Sequence, residues 1–254
     1  MLAYYGPEWE SLASRMVDRW CPSFSGNTGL QLPSTMGRNH GTLTNMDRNT
    51  SWQTNPDRLS LSFAGGSITH VAFAAISLGT IHSCCAWVNP VSQLVPFNFG
   101  GFLGDGSGNT APLFVGGLTA TNFGYTAGAG EVSFVGSSMI GSWNHIASVR
   151  IGTAVSLFRN GIQVASGTLP VNDAASPSRI GHRNGTFFYS GLADDVILFN
   201  TALTASESRF IYEQGRGGGL LMQPPRRRSY FAQVTTLKNY WFRNQQRMIG
   251  GGIR

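Results

Sequence analysis

The sequence predicts an all-β body, a sandwich of antiparallel sheets, with a short N-terminal helix before it and an extended basic C-terminal tail after it. Three observations carry that expectation. Short segments alternate apolar and polar residues at the two-residue period of a half-buried strand, as in Leu59-Ser60-Leu61-Ser62-Phe63 and Glu131-Val132-Ser133-Phe134-Val135. Two Asn-Gly dipeptides, Asn160-Gly161 and Asn184-Gly185, sit between such segments, and a type I′ hairpin turn needs two residues that accept positive φ. Charged residues make up only 12% while glycine fills 33 positions, which suits a turn-rich β protein and not a disordered one.

Taken in order, residues 8–20 read as an amphipathic helix with Trp9, Leu12, Met16 and Trp20 on one stripe. Two placements are open for that stripe, against the protein's own body or on a neighbouring subunit. A turn-rich stretch follows over 21–46. Residues 59–63 alternate as a strand. Residues 80–88 form a nearly continuous apolar run, as a central strand buried on both faces would. Residues 100–136 are Gly/Asn/Ser-rich hairpin territory carrying apolar pairs such as Leu113-Phe114. The 155–165 stretch, turning at Asn160-Gly161, is a hairpin, and Asn184-Gly185 separates 179–183 from 186–189 in the same manner. Thr204-Ala205-Ser206-Glu207 matches a capping box, opening a short helix that faces Phe210 and Ile211 to the body and stops at Gly215. Gly217-Gly218-Gly219, Pro224-Pro225 and Arg226-Arg227-Arg228 then mark a boundary. The chain thus divides into an N-terminal arm and helix (1–20), a β-sandwich (21–213) and a tail (214–254). No internal repeat of fixed period is evident.

Charge divides the chain at the same place. The first 213 residues hold ten arginines against twelve acids, whereas the last forty-one hold seven arginines, the single lysine and no acid, so the whole net +6 comes from the tail. No apolar run approaches the ~18 residues of a membrane span. Residues 1–10 lack a basic n-region and an apolar h-region, so no secretory signal is expected.

Motifs for catalysis are missing from the pattern. There is no G-x-S-x-G elbow, no G-x-x-x-x-G-K-[ST] loop and no H-E-x-x-H, and the five histidines (40, 70, 82, 145, 182) lack ligand spacing. Cys84 and Cys85, adjacent in an apolar strand, diverge and do not bridge each other; a bridge from Cys21 to either is geometrically open but has no support, so all three read as buried thiols, and no zinc-ligand cluster accompanies them.

The body resembles a known family. Gly141-Ser142-Trp143-Asn144-His145, the 155–165 hairpin, Ile180-Gly181, Ser190-Gly191-Leu192-Ala193-Asp194-Asp195-Val196, Phe199-Asn200 and Ala202-Leu203-Thr204 follow the order of the second half of a laminin-G-like, concanavalin A-like lectin/glucanase domain. His40-Gly41-Thr42-Leu43-Thr44-Asn45-Met46 and residues 59–63 resemble its opening strands. The resemblance covers residues 20–213 and implies a jelly-roll sandwich of two large antiparallel sheets. It also implies that Trp143 packs into the core. Some relatives bind calcium at loop carboxylates, so Asp194-Asp195, with Asp105 and Asp173, are candidate ligands; the other reading has Asp194-Asp195 hydrogen-bonding a turn or backbone donors, and no cofactor is expected. Enzymatic relatives carry a Glu-x-Asp-x-x-Glu-like strand, which is missing here, where Glu131 stands alone; a non-enzymatic protein is expected. Aromatic residues in 97–125, namely Phe97, Phe99, Phe102, Phe123 and Tyr125, are candidates for stacking on a sugar, or else core. Tails rich in Arg and Gly after such a domain resemble those of bacteriophage structural proteins.

The tail is more than a cationic arm. Arg226, Arg227 and Arg228 alone would suit nucleic acid or any anionic surface. Beyond them Tyr230, Phe231, Tyr240, Trp241 and Phe242 interleave with Lys238, Arg243 and Arg247, and aromatic with arginine is the composition of protein-interface anchors. The sequence therefore points to a virion protein, a capsid decoration or minor head or tail-fibre component, made in the host cytoplasm and acting in the particle. Its expected partners are capsid or other virion proteins and further copies of itself, with these tail residues and Trp9, Leu12 and Met16 as anchors. The alternative is a lectin-type module for a cell-surface glycan. Nucleic acid and membrane are not expected partners.

Overall fold

The computed structural model describes residues 7–22, 29–54, 58–64, 69–91, 101–106, 110–116, 122–183 and 187–215. Helix α1 (Pro7–Arg15) is followed by β1 (Met16–Trp20), β2 (Gln31–Leu32), β3 (Gly41–Thr44), β4 (Trp52–Thr54), β5 (Leu59–Phe63), β6 (His70–Ala72), β7 (Ile81–Pro90) and β8 (Gly101–Gly104). Then come β9 (Ala111–Val115), β10 (Asn122–Ala127), β11 (Gly130–Val135), β12 (Asn144–Ile151), β13 (Ala154–Arg159), β14 (Ile162–Thr168), β15 (Arg179–Ile180), β16 (Gly191–Phe199) and helix α2 (Ala205–Gly215). These strands form two eight-stranded antiparallel sheets. The first runs β14-β13-β12-β7-β16-β5-β4 with β1 also on β16, and the second runs β11-β10-β9-β8-β15-β6-β3-β2.

The sheets enclose one core. Trp20, Cys84, Ala86, Val88, Ile146, Leu157, Val196 and Leu198 of the first sheet meet Leu43, Val71, Leu103, Leu113, Phe123, Tyr125 and Ile180 of the second. Strand alternation sends the neighbours Cys85, Ala147, Val149, Ile197 and Phe199 to the opposite face of the first sheet. There they meet Trp9 and Leu12 of α1, Met16, Leu203 and Ile211 of α2. The body is therefore three layers: second sheet, first sheet, helices. Cys84 and Cys85 fall in different cores, and all three cysteines are buried free thiols.

Local signals behave as the sequence reading expects. Asn160 and Gly161 turn β13 into β14 with φ of 52° and 76°, and the Asn160 side chain accepts the His145 backbone N–H at 2.9 Å. At α2 the Thr204 hydroxyl accepts the Glu207 N–H at 3.2 Å while the Glu207 carboxylate accepts the Thr204 N–H at 2.8 Å, which is a reciprocal capping box. Asn184-Gly185 lies outside the described residues.

One element differs. The helix expected over 8–20 ends at Arg15, and Met16–Trp20 pairs antiparallel with Val196–Phe199 of β16. The apolar spacing allowed both, because β1 is covered on each side: Met16 belongs to the helix-side core and Trp20 to the inter-sheet core. Pairing with β16 satisfies backbone groups that a longer helix would satisfy internally.

Candidate functional site

One edge of β16 changes partner along its length. Gly191–Ala193 pairs with β5, and the part from Val196 to Phe199 pairs with β1. Between them stand Asp194 and Asp195, where φ of Asp195 is 49° and the register with β7 shifts. Such a bulge interrupts the alternation that would send adjacent side chains to opposite faces. Each strand sharing the edge contributes one arginine. Arg58, just before β5, places Nη1 3.3 Å from Asp194 Oδ2, and Arg19 of β1 pairs through Nε with Asp195. All four side chains are buried, a situation that charges tolerate when paired and hydrogen-bonded.

Arg58 is the hub. Its guanidinium lies 4.1 Å from the Trp87 ring centre and 4.6 Å from that of Trp143, so it is stacked between two indoles. Its Nη2 donates to the Gly215 carbonyl at 3.1 Å, fixing the last residue of α2. Gly215 is required there: a Cβ would stand 2.5 Å from Trp87 Nε1. Tyr212 of α2 stacks on Trp87 at 5.7 Å, and His145 lies 5.4 Å from Trp87. A salt bridge from Arg15 to Glu207 ties α1 to α2.

Burial sets the protonation states. It pushes Asp194 up to about 7, helped by the neighbouring Asp195 charge and opposed by Arg58. It lowers His145 to about 3, the Arg58 charge adding to the effect, so that imidazole is neutral at ordinary pH. Burial also raises Cys21, whose thiol points at Asp194 Oδ1 from 3.5 Å.

Asp194 and Asp195 were expected either to hydrogen-bond a turn or to ligate calcium. They instead face arginines, and a divalent cation placed there would sit against two guanidinium charges, so the pair does not fit a calcium site. Among the described residues no group of three or more His, Cys, Asp or Glu side chains is arranged to hold a metal ion. Nor does any described helix have the length and apolarity to cross a membrane.

Other candidate residues are redistributed. Phe102, Phe123 and Tyr125 are wholly buried between the sheets, where no sugar reaches them. The bulges in β8 and β10 and the inward phase of those strands account for it. Phe97 and Phe99 lie outside the described residues, as do Arg226, Arg227, Arg228, Tyr230, Phe231, Lys238, Tyr240, Trp241, Phe242, Arg243 and Arg247. Trp9, Leu12 and Met16 are buried against the chain's own first sheet, the first of their two placements, which removes them as anchors for a partner. Trp143, expected in the core, is half-buried on the outer face against Arg58. Arg19 and Arg58 carried no sequence signal, since their partners lie 176 and 136 residues away.

The architecture defines the class: a two-sheet, all-β sandwich module with a helical layer on one sheet. A family model for the concanavalin A-like lectin/glucanases superfamily, of laminin-G type, matches residues 64–207, which is more than half of the chain. The chain belongs to that superfamily. No curated protein sequence matches it.

Solved structures agree on the fold. Domain 4 of AbnA, a GH43 extracellular arabinanase from Geobacillus stearothermophilus, in complex with arabinotriose, superposes with a TM-score of 0.58 at 17% identity, covering 78% of this chain and 98% of that one. Trypanosoma rangeli sialidase gives 0.57 at 15%, covering 81% of this chain and 33% of its own. The binding domain of botulinum neurotoxin serotype D gives 0.56 at 12%, covering 79% and 52%. The chain therefore spans about a third of the sialidase and about half of the neurotoxin domain. At such identities the likeness speaks for the fold alone.

Proposed function

We propose that this chain is a non-enzymatic structural protein of a virus particle, of the bacteriophage kind, whose sandwich is fixed to its assembly by segments at the two ends. The supporting observation is the placement of α1 and α2. Both pack in one layer on the outer face of the first sheet, joined by Arg15–Glu207, and they are the first and last described elements of the body. Arg58 holds Gly215, where the tail begins. In this reading the second sheet, on the other side of the sandwich, is the displayed one. The tail's basic and aromatic residues act by surface burial and charge complementarity, with no chemical step. A variant ending at Gly215 tests this: it folds as the full chain does but is lost from particles. Normal incorporation of that variant would refute the anchoring role.

A second reading, carbohydrate binding by the displayed sandwich, is favoured by the superfamily and by the arabinotriose bound in the arabinanase domain of the same fold. The two are compatible where the glycan-binding surface stays clear of the face seated on the particle. Binding of the isolated body to a glycan panel tests it, and no binding by any member contradicts it.

A further inference from the structure

We infer that Trp143 is a stacking platform for a neutral saccharide ring, on the rim of the first sheet beside α2; this rests on the carbohydrate reading above and gives it a location. Trp143 is the half-buried member of the Trp87–Arg58–Trp143 stack. Arg58 covers one face of its indole. Among the described residues Trp143 has no hydrogen-bond partner and no other ring contact, and part of its surface stays exposed.

The turn carrying this ring is built rigidly from below. Arg159 donates to the Ser137 carbonyl at 2.9 Å, to its hydroxyl at 3.0 Å, to the Ser138 carbonyl at 3.4 Å and to Asn144 Oδ1 at 2.9 Å. Asn144 in turn donates to the Ser142 carbonyl at 2.9 Å, and the Gly141 N–H donates to the Pro90 carbonyl at 2.8 Å. Met139 is fully buried beneath. Above, the same turn is open: Ser142 is exposed, Ile140 is 38% exposed, Val91 next to Pro90 is 54% exposed, and a Cβ on Gly141 would meet nothing within 4 Å. A fixed turn that carries a partly exposed indole and a hydroxyl, with exposed Ile140 and Val91 nearby in the chain, suits a sugar ring, which has an apolar C–H face and a polar edge. Preorganisation reduces the ordering cost of binding.

Charge selects the class. Arg58 is paired with buried Asp194 and capped by both indoles, and Arg159 is engaged with the turn's own carbonyls. Both guanidiniums are thus already engaged within the body. Among the described residues a carboxylated sugar finds no further counter-charge there, so neutral saccharides are preferred to sialylated ones.

The experiment uses the full chain labelled with fluorotryptophan, with Trp143→Phe assigning the Trp143 line in fluorine NMR. Titration with arabinotriose, xylotriose, galactotriose, lactose and sialyllactose should move the Trp143 line with a neutral member. Affinity for that member should fall about tenfold in Trp143→Ala and less in Trp143→Phe. If Trp143→Ala does not fold, the Trp143 line of the wild type and the affinity of Trp143→Phe still decide. Binding that leaves the Trp143 line unmoved, or that Trp143→Ala retains undiminished, overturns the platform while the carbohydrate reading stands. Binding of sialyllactose alone overturns the assignment to neutral sugars. Binding of none of the five by the wild type overturns the carbohydrate reading and the platform together.

Discussion

Arg58 Nη1 stands 3.3 Å from Asp194 Oδ2, joining residues 136 apart in the sequence beneath the helical layer. Its partner pair, Arg19 with Asp195, sits on the other side of the same bulge. Together they pin the point where β16 passes from β5 to β1.

At a pH above 7, where Asp194 is ionised, removing one charge of such a pair strands the other in a dry environment. Arg58→Met should therefore cost about 3–5 kcal/mol of unfolding free energy, read from urea titrations. The double variant Arg58→Met with Asp194→Leu should recover much of that loss. A single variant as stable as the parent would mean that Asp194 is not held as a charge by Arg58.

The same groups give stability a signed dependence on pH. Asp194 is raised by burial from 3.8 to about 7, so its proton is held more tightly in the folded chain; its contribution is present at low pH and fades as pH rises between those values. His82 and His145, lowered by burial from 6.5 to about 4 and about 3, act in the opposite sense. Their contribution is full above 6.5 and is lost as pH falls toward the folded values. Each group changes the slope by about 1.4 kcal/mol per pH unit inside its window. His145→Phe should flatten the acid limb between pH 6 and pH 4 in these proportions, and Asp194→Asn should steepen it.

How far the sequence disclosed this body follows from the range of each signal. Local chemistry is legible: Asn160-Gly161 makes its hairpin, Thr204 with Glu207 caps α2, and the apolar run gives β7. Where a segment is covered on both sides, periodicity is silent, and β1 reads as a continuation of α1. The aspartate pair misleads because positive φ at Asp195 breaks the strand's alternation, and because its arginines come from distant strands. Phe102, Phe123 and Tyr125 are as apolar as a sugar platform would be; only the second sheet's register assigns them to the core. The resemblance implies a core position for Trp143, and its contact with Arg58, which carries no sequence signal, belongs to the outer face instead.

At the β13–β14 turn, Gly161→Ala meets two obstacles. Its φ is 76°, and the new Cβ would lie 2.9 Å from the Arg209 Cα of α2, which is backbone and cannot swing aside. A loss of about 1–3 kcal/mol is expected in thermal or chemical unfolding. An unchanged midpoint would show that the turn and α2 do not pack this closely.

The three thiols should be inert in the native protein. Burial raises Cys21, Cys84 and Cys85 well above the ordinary thiol range and hides them from reagent. A thiol-disulfide dye should react with none of them in the folded chain and with three per chain in denaturant. Rapid native labelling would contradict the burial of these thiols.

The most direct test of anchoring through the end segments is an electron cryomicroscopy map of native particles at side-chain resolution. The account predicts sandwich density with the α1/α2 face toward the shell, residues 216–254 running into contacts with shell subunits or neighbouring copies, and the second sheet turned outward. A sandwich seated on its second sheet with the tail making no contact, or particles that lack the chain altogether, would contradict it.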